Sequence, residues 1–331
     1  MTRKNKLVRL GLVGLGKQGQ EHFDASKNCK KARIVACCDT SEDKRELFKT
    51  SFPDIPCYGD LEDLLRVGEL DGLVLALPHH VYSECLDKIK NWGKPVLKEK
   101  PLARNLSEAF AFLEPAGGKG GNLRTGIQRR KHPTYARLKE EICHKDIRAL
   151  ELVLHLGFDP LKEPLDWRGD QKKVGGGALL DSGYHMIDLA IFLIGSFEVV
   201  SANLWLGDKP AGSKMIETDA TIIGRSGKTW VRIESKVGGK EKKEVVRVAT
   251  PNEIYRADRE SLSVDQNEIF CCSNTWKQAM ATQIDAFAED ILEKKLDQPE
   301  VWEQLAVMRI IENAYAFARQ VGAFEGGYKC G

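Results

Sequence analysis

No apolar run in these 331 residues approaches the roughly 20 needed to cross a bilayer, and the first strand begins at Leu7, too early to follow a signal peptide. A cytoplasmic chain without a membrane partner is the expectation. There is also no excess of charge of one sign. Fifty Lys and Arg against 48 Asp and Glu leave a net charge of +2, without the concentrated basic face that binds nucleic acid, and Arg3, Lys4 and Lys6 read as a solvated end. None of the 9 cysteines shows the two-residue spacing of a zinc or redox site. The vicinal pairs Cys37-Cys38 and Cys271-Cys272 read as reduced core thiols, and no metal is expected. Internal repeats and low-complexity segments are missing as well.

What is present is enough length for two domains, at an ordinary 42% hydrophobic and 30% charged composition. From Leu7 to about Gly126, short apolar runs alternate with amphipathic segments, the pattern of an α/β unit with a parallel sheet. Strands are expected at Leu7 to Val13, Arg33 to Cys38, Gly72 to Leu77, Pro95 to Lys98 and Leu123 to Ile127, with helices between them. Beyond Gln128 the strands lengthen, alternate in polarity and are joined by tight turns such as Arg225-Ser226-Gly227-Lys228, which reads as a mainly antiparallel sheet. Its strands are expected at Leu150 to Phe158, Val199 to Leu206, Asp219 to Gly224, Thr229 to Lys236 and Lys242 to Ala249. The expected domains are 1–127 and 128–331, with a final helix over 301–320 that can pack back on the first.

Gly14-Leu15-Gly16-Lys17-Gln18-Gly19 sits between the first strand and the first helix. Small residues there let the backbone turn sharply and approach a pyrophosphate at the helix N-terminus, although glycines at such a turn can also serve packing alone. Asp39 ends the second strand twenty residues after Gly19, where a carboxylate accepts ribose hydroxyls. An acid there repels a 2′-phosphate, so NAD is favoured over NADP, while Lys44 and Arg45 keep NADP open.

Lys100 follows the fourth main strand and precedes Pro101, which aims it from the carboxyl edge of the sheet. Read alone, it could equally be a surface lysine with Lys94 and Lys98 nearby, and Glu99 a solvated acid. Asp181, His185 and Asp188 fall at i, i+4 and i+7, on one face of a helix running to Ile194. Oxidising an alcohol releases a proton beside the carbinol, and histidine titrates in the right range to take it. One carboxylate can orient the imidazole, and the other can hold a substrate hydroxyl.

These motifs resemble the Gfo/Idh/MocA family, the likeness resting on the glycine turn, Lys94-Pro95-Val96-Leu97-Lys98-Glu99-Lys100-Pro101, Gln128-Arg129-Arg130, Trp167-Arg168 and the run from Gly175-Gly176-Gly177 to Asp188. The resemblance implies a Rossmann domain followed by an α+β domain with a large open sheet, whose exposed face forms a dimer or tetramer contact. It places Lys100, Asp181 and His185 at catalytic positions. Around the cofactor it places Leu15, Lys17, Gln18, Thr40, Arg45, Leu77, Pro78, His79, Glu99, Gln128, Trp167 and Arg168; around the substrate it adds Arg129, Arg130, Tyr184 and Asp188. It implies an oxidoreductase for a secondary alcohol or ketone of a sugar, sugar derivative, nucleotide sugar or cyclitol, the alternative being a silent dinucleotide-binding sensor. Two departures stand out: Tyr82 replaces a histidine after the third main strand, and Lys131-His132-Pro133 replaces an aromatic-acid-proline run.

Overall fold

The computed structural model describes residues 7–113, 122–157, 167, 170–206, 216–238, 242–295, 299–320 and 324–325. They form two compact units that interleave along the chain. The first comprises Met1–Leu102, Ser107–Lys131 and Trp276–Trp302; the second comprises Ala103–Leu106, His132–Thr275 and Glu303–Gly331.

In the first unit, β1 (Val8–Val13), β2 (Ala32–Cys38), β3 (Cys57–Tyr58), β4 (Gly72–Leu75), β5 (Val96–Glu99) and β6 (Leu123–Gly126) form one sheet in the order β3-β2-β1-β4-β5-β6. Every pairing is parallel. The order reverses between β1 and β4, so the crevice beyond their carboxyl ends is the place where doubly wound sheets take ligands. The connecting helices are α1 (Lys17–Ser26), α2 (Glu42–Ser51), α3 (Leu61–Leu65), α4 (Tyr82–Ile89) and α5 (Leu106–Leu113). Ser41 caps α2 through its side chain, as Asp60 caps α3.

Trp276–Trp302, which the sequence reading places in the second domain, clusters with the first unit for an apolar reason. Met280, Ile284, Phe287 and Ala288 join the core of Val8, Leu10, Phe23, Ile34 and Phe48. Asp285 also accepts the backbone N–H groups of Lys30 and Lys31 at 2.9 and 2.8 Å.

The second unit continues with α6 (Pro133–Ile142), β7 (Ala149–Leu156), α7 (Gln171–Val174), α8 (Tyr184–Ile194), β8 (Glu198–Trp205), β9 (Asp219–Ser226), β10 (Thr229–Val237), β11 (Lys243–Ala249), β12 (Ile254–Ala257), β13 (Ser261–Val264) and β14 (Asn267–Cys271). Helices α9 (Thr275–Glu293) and α10 (Pro299–Gln320) and the short β15 (Phe324–Glu325) follow, and from Glu303 onward α10 clusters with this unit. The nine-stranded sheet runs β14-β13-β12-β11-β7-β10-β9-β8-β15 and is mainly antiparallel, with parallel pairings of β7 with β10 and β8 with β15. Strands β12 to β14 escape the sequence pattern because they are short. The turn between β13 and β14 also lacks glycine, being made by Asp265 and Gln266 at φ of 47° and 73°.

The stretch Gln171–Ile194, which includes α7 and α8, is long and apolar enough to pass for a membrane span, but most of it is buried inside the fold, so it reads as part of the core.

Candidate active site

In the first unit, the positions expected to hold a dinucleotide follow the carboxyl ends of the parallel strands: Gly14 after β1, Asp39 after β2, Leu77 to His79 after β4, Lys100 after β5 and Gln128 after β6. The glycine turn is tight where it meets protein and open where it does not. A Cβ on Gly19 would lie 1.9 Å from the Gly14 carbonyl oxygen, whereas one on Gly16 would meet nothing within 4 Å. Gly16 is the N-cap of α1 and supplies no side-chain acceptor. The first-turn N–H groups flanking Lys17 and Gln18 therefore suit phosphate oxygens.

Asp39 braces this turn while remaining an acceptor. Its Oδ2 accepts from the Leu15 N–H at 2.7 Å and its Oδ1 from the Ser41 N–H at 2.9 Å, with the Lys44 ammonium 3.9 Å away. Further lone pairs stay available for ribose hydroxyls. Arg45 donates instead to the carbonyls of Asp39 and Thr40, at 2.8 and 2.9 Å. At the end of β4, Tyr82 donates its hydroxyl to the Leu75 carbonyl and accepts from the Leu77 N–H, so the residue that replaces the expected histidine fixes the backbone leading into Pro78 and His79.

Glu99 is a buried acid rather than a solvated one, with Oε1 2.6 Å from Nε2 of His22 on α1. Nδ1 of that imidazole is buried without a partner, so it is Nε2 that turns its proton toward the carboxylate. His22 was not anticipated, although it lies three residues beyond Gly19 on the helix that the glycine turn opens. Lys100 is half-buried just past β5. Gln128, Arg129 and Arg130 form a buried 3₁₀ turn; Oε1 of Gln128 has no hydrogen-bond partner, and the Arg129 guanidinium lies 5.6 Å from the Trp276 ring centroid. An uncapped helix start, an acid at the second strand end and an unanswered buried amide oxygen all fit a dinucleotide.

In the second unit, Asp181 and His185 do not share one regular α-helix. Leu179–Gly183 forms a wider π turn, and α8 begins at Tyr184. The one-face argument therefore applies to His185 and Asp188, while Asp181 sits in the wide turn, a device frequent at functional sites. Asp181 is half-buried and His185 is 8% exposed. Asp188, at 1% exposure, accepts from Nε2 of Gln304 at 2.6 Å, and Oε1 of Gln304 accepts from the Tyr184 hydroxyl, also at 2.6 Å. Two of the residues expected around the substrate, Tyr184 and Asp188, thus share a buried glutamine.

The entrance to this helix is gripped by Glu217. Its Oε1 accepts from the N–H groups of Gly177 and Leu179 at 3.0 and 3.1 Å and from the Tyr315 hydroxyl at 2.6 Å. A Cβ on Gly177 would lie 2.0 Å from the Glu217 carbonyl oxygen, which accounts for the glycine. Burial raises the Glu217 carboxyl above its ordinary value, although all three donors pull it down. Trp167 is half-buried, while Arg168 lies outside the described residues. Among the described residues, no group of three or more His, Cys, Asp or Glu side chains could hold a metal ion.

Two family models match the chain. One, described as oxidoreductase family, NAD-binding Rossmann fold, covers residues 8–126, and the GFO/IDH/MocA C-terminal domain covers 146–231. The chain is 28% identical over 218 residues to a myo-inositol 2-dehydrogenase of Thermotoga maritima, covering 65% of this chain and 64% of that protein. It is 30% identical over 195 residues to the rhizopine catabolism protein MocA of Rhizobium meliloti, covering 59% and 58%. Each match spans less than two thirds of the relative. Among solved structures, a levoglucosan dehydrogenase in complex with NADH superposes with a TM-score of 0.83 at 18% identity, over 95% of this chain and 98% of that one, a likeness of fold.

Proposed function

The chain belongs to the Gfo/Idh/MocA oxidoreductase family, and from that premise we propose that it is an NAD-dependent dehydrogenase acting on a secondary alcohol of a sugar, sugar derivative, nucleotide sugar or cyclitol. The observation that carries this reading is the convergence of the glycine turn, Asp39 and Lys100 on the carboxyl ends of strands in one parallel sheet. The names of the relatives, an inositol dehydrogenase and a rhizopine catabolism protein, support a polyhydroxylated substrate.

When bound, nicotinamide supplies the acceptor for the hydride that leaves the carbinol carbon. Lys100 binds the carbinol oxygen through its ammonium, favouring the alkoxide character that develops there. His185 takes the hydroxyl proton as general base, and Asp181 keeps its imidazole oriented. Glu217 and the Gly175–Gly177 run hold the helix entrance, and the Tyr184–Gln304–Asp188 chain holds its first full turn. In reverse, His185 returns the proton as Lys100 polarises the carbonyl. The half-exposed Trp205, Trp230 and Ile254 of the nine-stranded sheet suit a homo-oligomer contact.

A cofactor-reduction screen over sugars, nucleotide sugars and inositols, run with NAD and with NADP, tests the reading. Turnover with NAD on a polyol is expected. Tight NAD binding with no turnover across the whole panel would replace the enzyme by a dinucleotide-dependent sensor.

A further inference from the structure

Lys98, next to Glu99 in β5, takes no part in the chemistry above and is 1% exposed. Its ammonium donates to the carbonyl of Glu99 at 2.9 Å and to the carbonyl of Pro101. It also lies 3.7 Å from the centroid of the Tyr82 ring. Those two carbonyls bracket Lys100, one before it and one after Pro101. The ring cannot drift, because the Tyr82 hydroxyl is fixed to Leu75 and Leu77 at the end of β4. One buried cation therefore ties the end of β4 to both sides of the turn that presents Lys100.

This arrangement is costly for the fold. Among the described residues, no carboxylate forms an ion pair with Lys98, and burial pushes its ammonium down to about 7. The charges of Glu99 and Glu108 oppose that shift, Lys100 adds to it, and the Cys85 thiol completes the titratable surroundings together with Tyr82. An apolar side chain of similar length would fill the space without burying a charge.

We propose that Lys98 is a positioning residue for Lys100, gripping the peptide carbonyls on either side of it so that its ammonium meets the substrate oxygen in a fixed place. The proposal rests on the reading of Lys100 as the group that binds that oxygen. Misplacement by about 1 Å is enough to cost on the order of 100-fold in rate.

The test compares Lys98→Met, Tyr82→Phe and Lys100→Met in the full chain. In Lys98→Met, kcat should fall between ~10-fold and ~100-fold with NAD affinity within about 2-fold of the parent. Its Tm should rise at neutral pH, with the gain shrinking as pH climbs toward the ordinary lysine range. The sign follows from the depressed pKa: the unfolded chain binds the Lys98 proton more readily than the native one, so the parent gains stability from neutral to alkaline pH while the methionine variant does not. Amide exchange at Lys100 and Leu102 should quicken, a readout independent of substrate. Tyr82→Phe, which frees the ring, should shift kcat and exchange in the same direction by less.

Parent-like kcat and exchange in Lys98→Met, with Lys100→Met inactive, would overturn the positioning role alone. A loss of kcat accompanied by lower Tm and weaker NAD binding would overturn it too, as the mark of a residue that only holds the fold. Unimpaired turnover in Lys100→Met would instead remove the reading of Lys100 on which the proposal stands.

Discussion

The turn that carries Lys100 and the helix entrance that carries Asp181 are gripped in opposite electrical senses. In the first unit a buried cation, Lys98, holds carbonyl oxygens; in the second a buried anion, Glu217, holds backbone N–H groups. Each is steadied by a tyrosine, Tyr82 through its ring face and Tyr315 through its hydroxyl. In both places the main chain beside the proposed reactive side chain is fixed. The two grips also differ in flexibility. A carboxylate that accepts from fixed N–H groups has little latitude, whereas an ammonium on a four-carbon stem owes its fixity to full burial.

The largest expected effect comes from removing the residue proposed as the base, in the second unit. His185→Ala should lower turnover by ~100-fold or more while leaving NAD affinity unchanged, as loss of a general base does. Steady-state rates on the substrate found in the screen decide this, and near-normal turnover would leave Glu217 with no reactive group to position.

Next comes the anionic grip itself. Glu217→Ala strands two N–H groups and a tyrosine hydroxyl in a dry place and should destabilise the fold by about 2 kcal/mol or more in urea titrations. Glu217→Gln retains an acceptor and should cost less. Because the native carboxyl titrates above its unfolded value of 4.5, the native state holds the proton longer, and the parent should lose stability as pH rises from 4.5 through that raised value. The glutamine variant should lack this decline. A pH-independent difference between parent and Glu217→Gln would show that the carboxyl charges without cost.

Asp39 offers a smaller effect confined to the first unit. Asp39→Ala should weaken NAD about 10-fold, equivalent to about 1.4 kcal/mol, and relatively favour NADP, because both the ribose acceptor and the charge that repels a 2′-phosphate are gone. Calorimetric titration with both cofactors checks this, and unchanged NAD affinity would reduce Asp39 to a brace for Leu15 and Ser41. The smallest change is Gly16→Ala. With open space around its Cβ, stability should stay within about 0.5 kcal/mol while NAD binding weakens, so a variant that binds NAD normally would place the pyrophosphate elsewhere.

The strand-turn-helix layout of the first unit was largely legible, because one short segment encodes the strand, the glycine turn and the helix start together. The grips were not. His22 meets Glu99 across 77 positions, Glu217 meets Gly177 across 40, and Gln304 meets Asp188 across 116, so no local spacing announces them. Lys98 was visible only as one lysine among several, since nothing in a sequence distinguishes a buried ammonium from a solvated one. The wide turn at Leu179–Gly183 escaped for another reason: residue spacing assumes a uniform helix, and here the helix is not uniform. The Gly175–Gly177 run makes its close approaches within the second unit, to Arg104, Tyr315 and Glu217.

The placement of Trp276–Trp302 in the first unit has a consequence for how the protein is made. A ribosome delivers β1 to β6 well before α9, yet Met280, Ile284, Phe287 and Ala288 are part of the cover over Val8, Leu10 and Ile34. Until α9 emerges, the nascent first unit carries an uncovered apolar patch, at a synthesis rate of about 5 to 20 residues per second. A fragment ending at Lys131 should therefore bind a hydrophobic dye that the whole chain ignores, and a peptide spanning 276–302 should suppress that binding. The nucleotide-binding module, translated ahead of the second unit's sheet, is finished only after it.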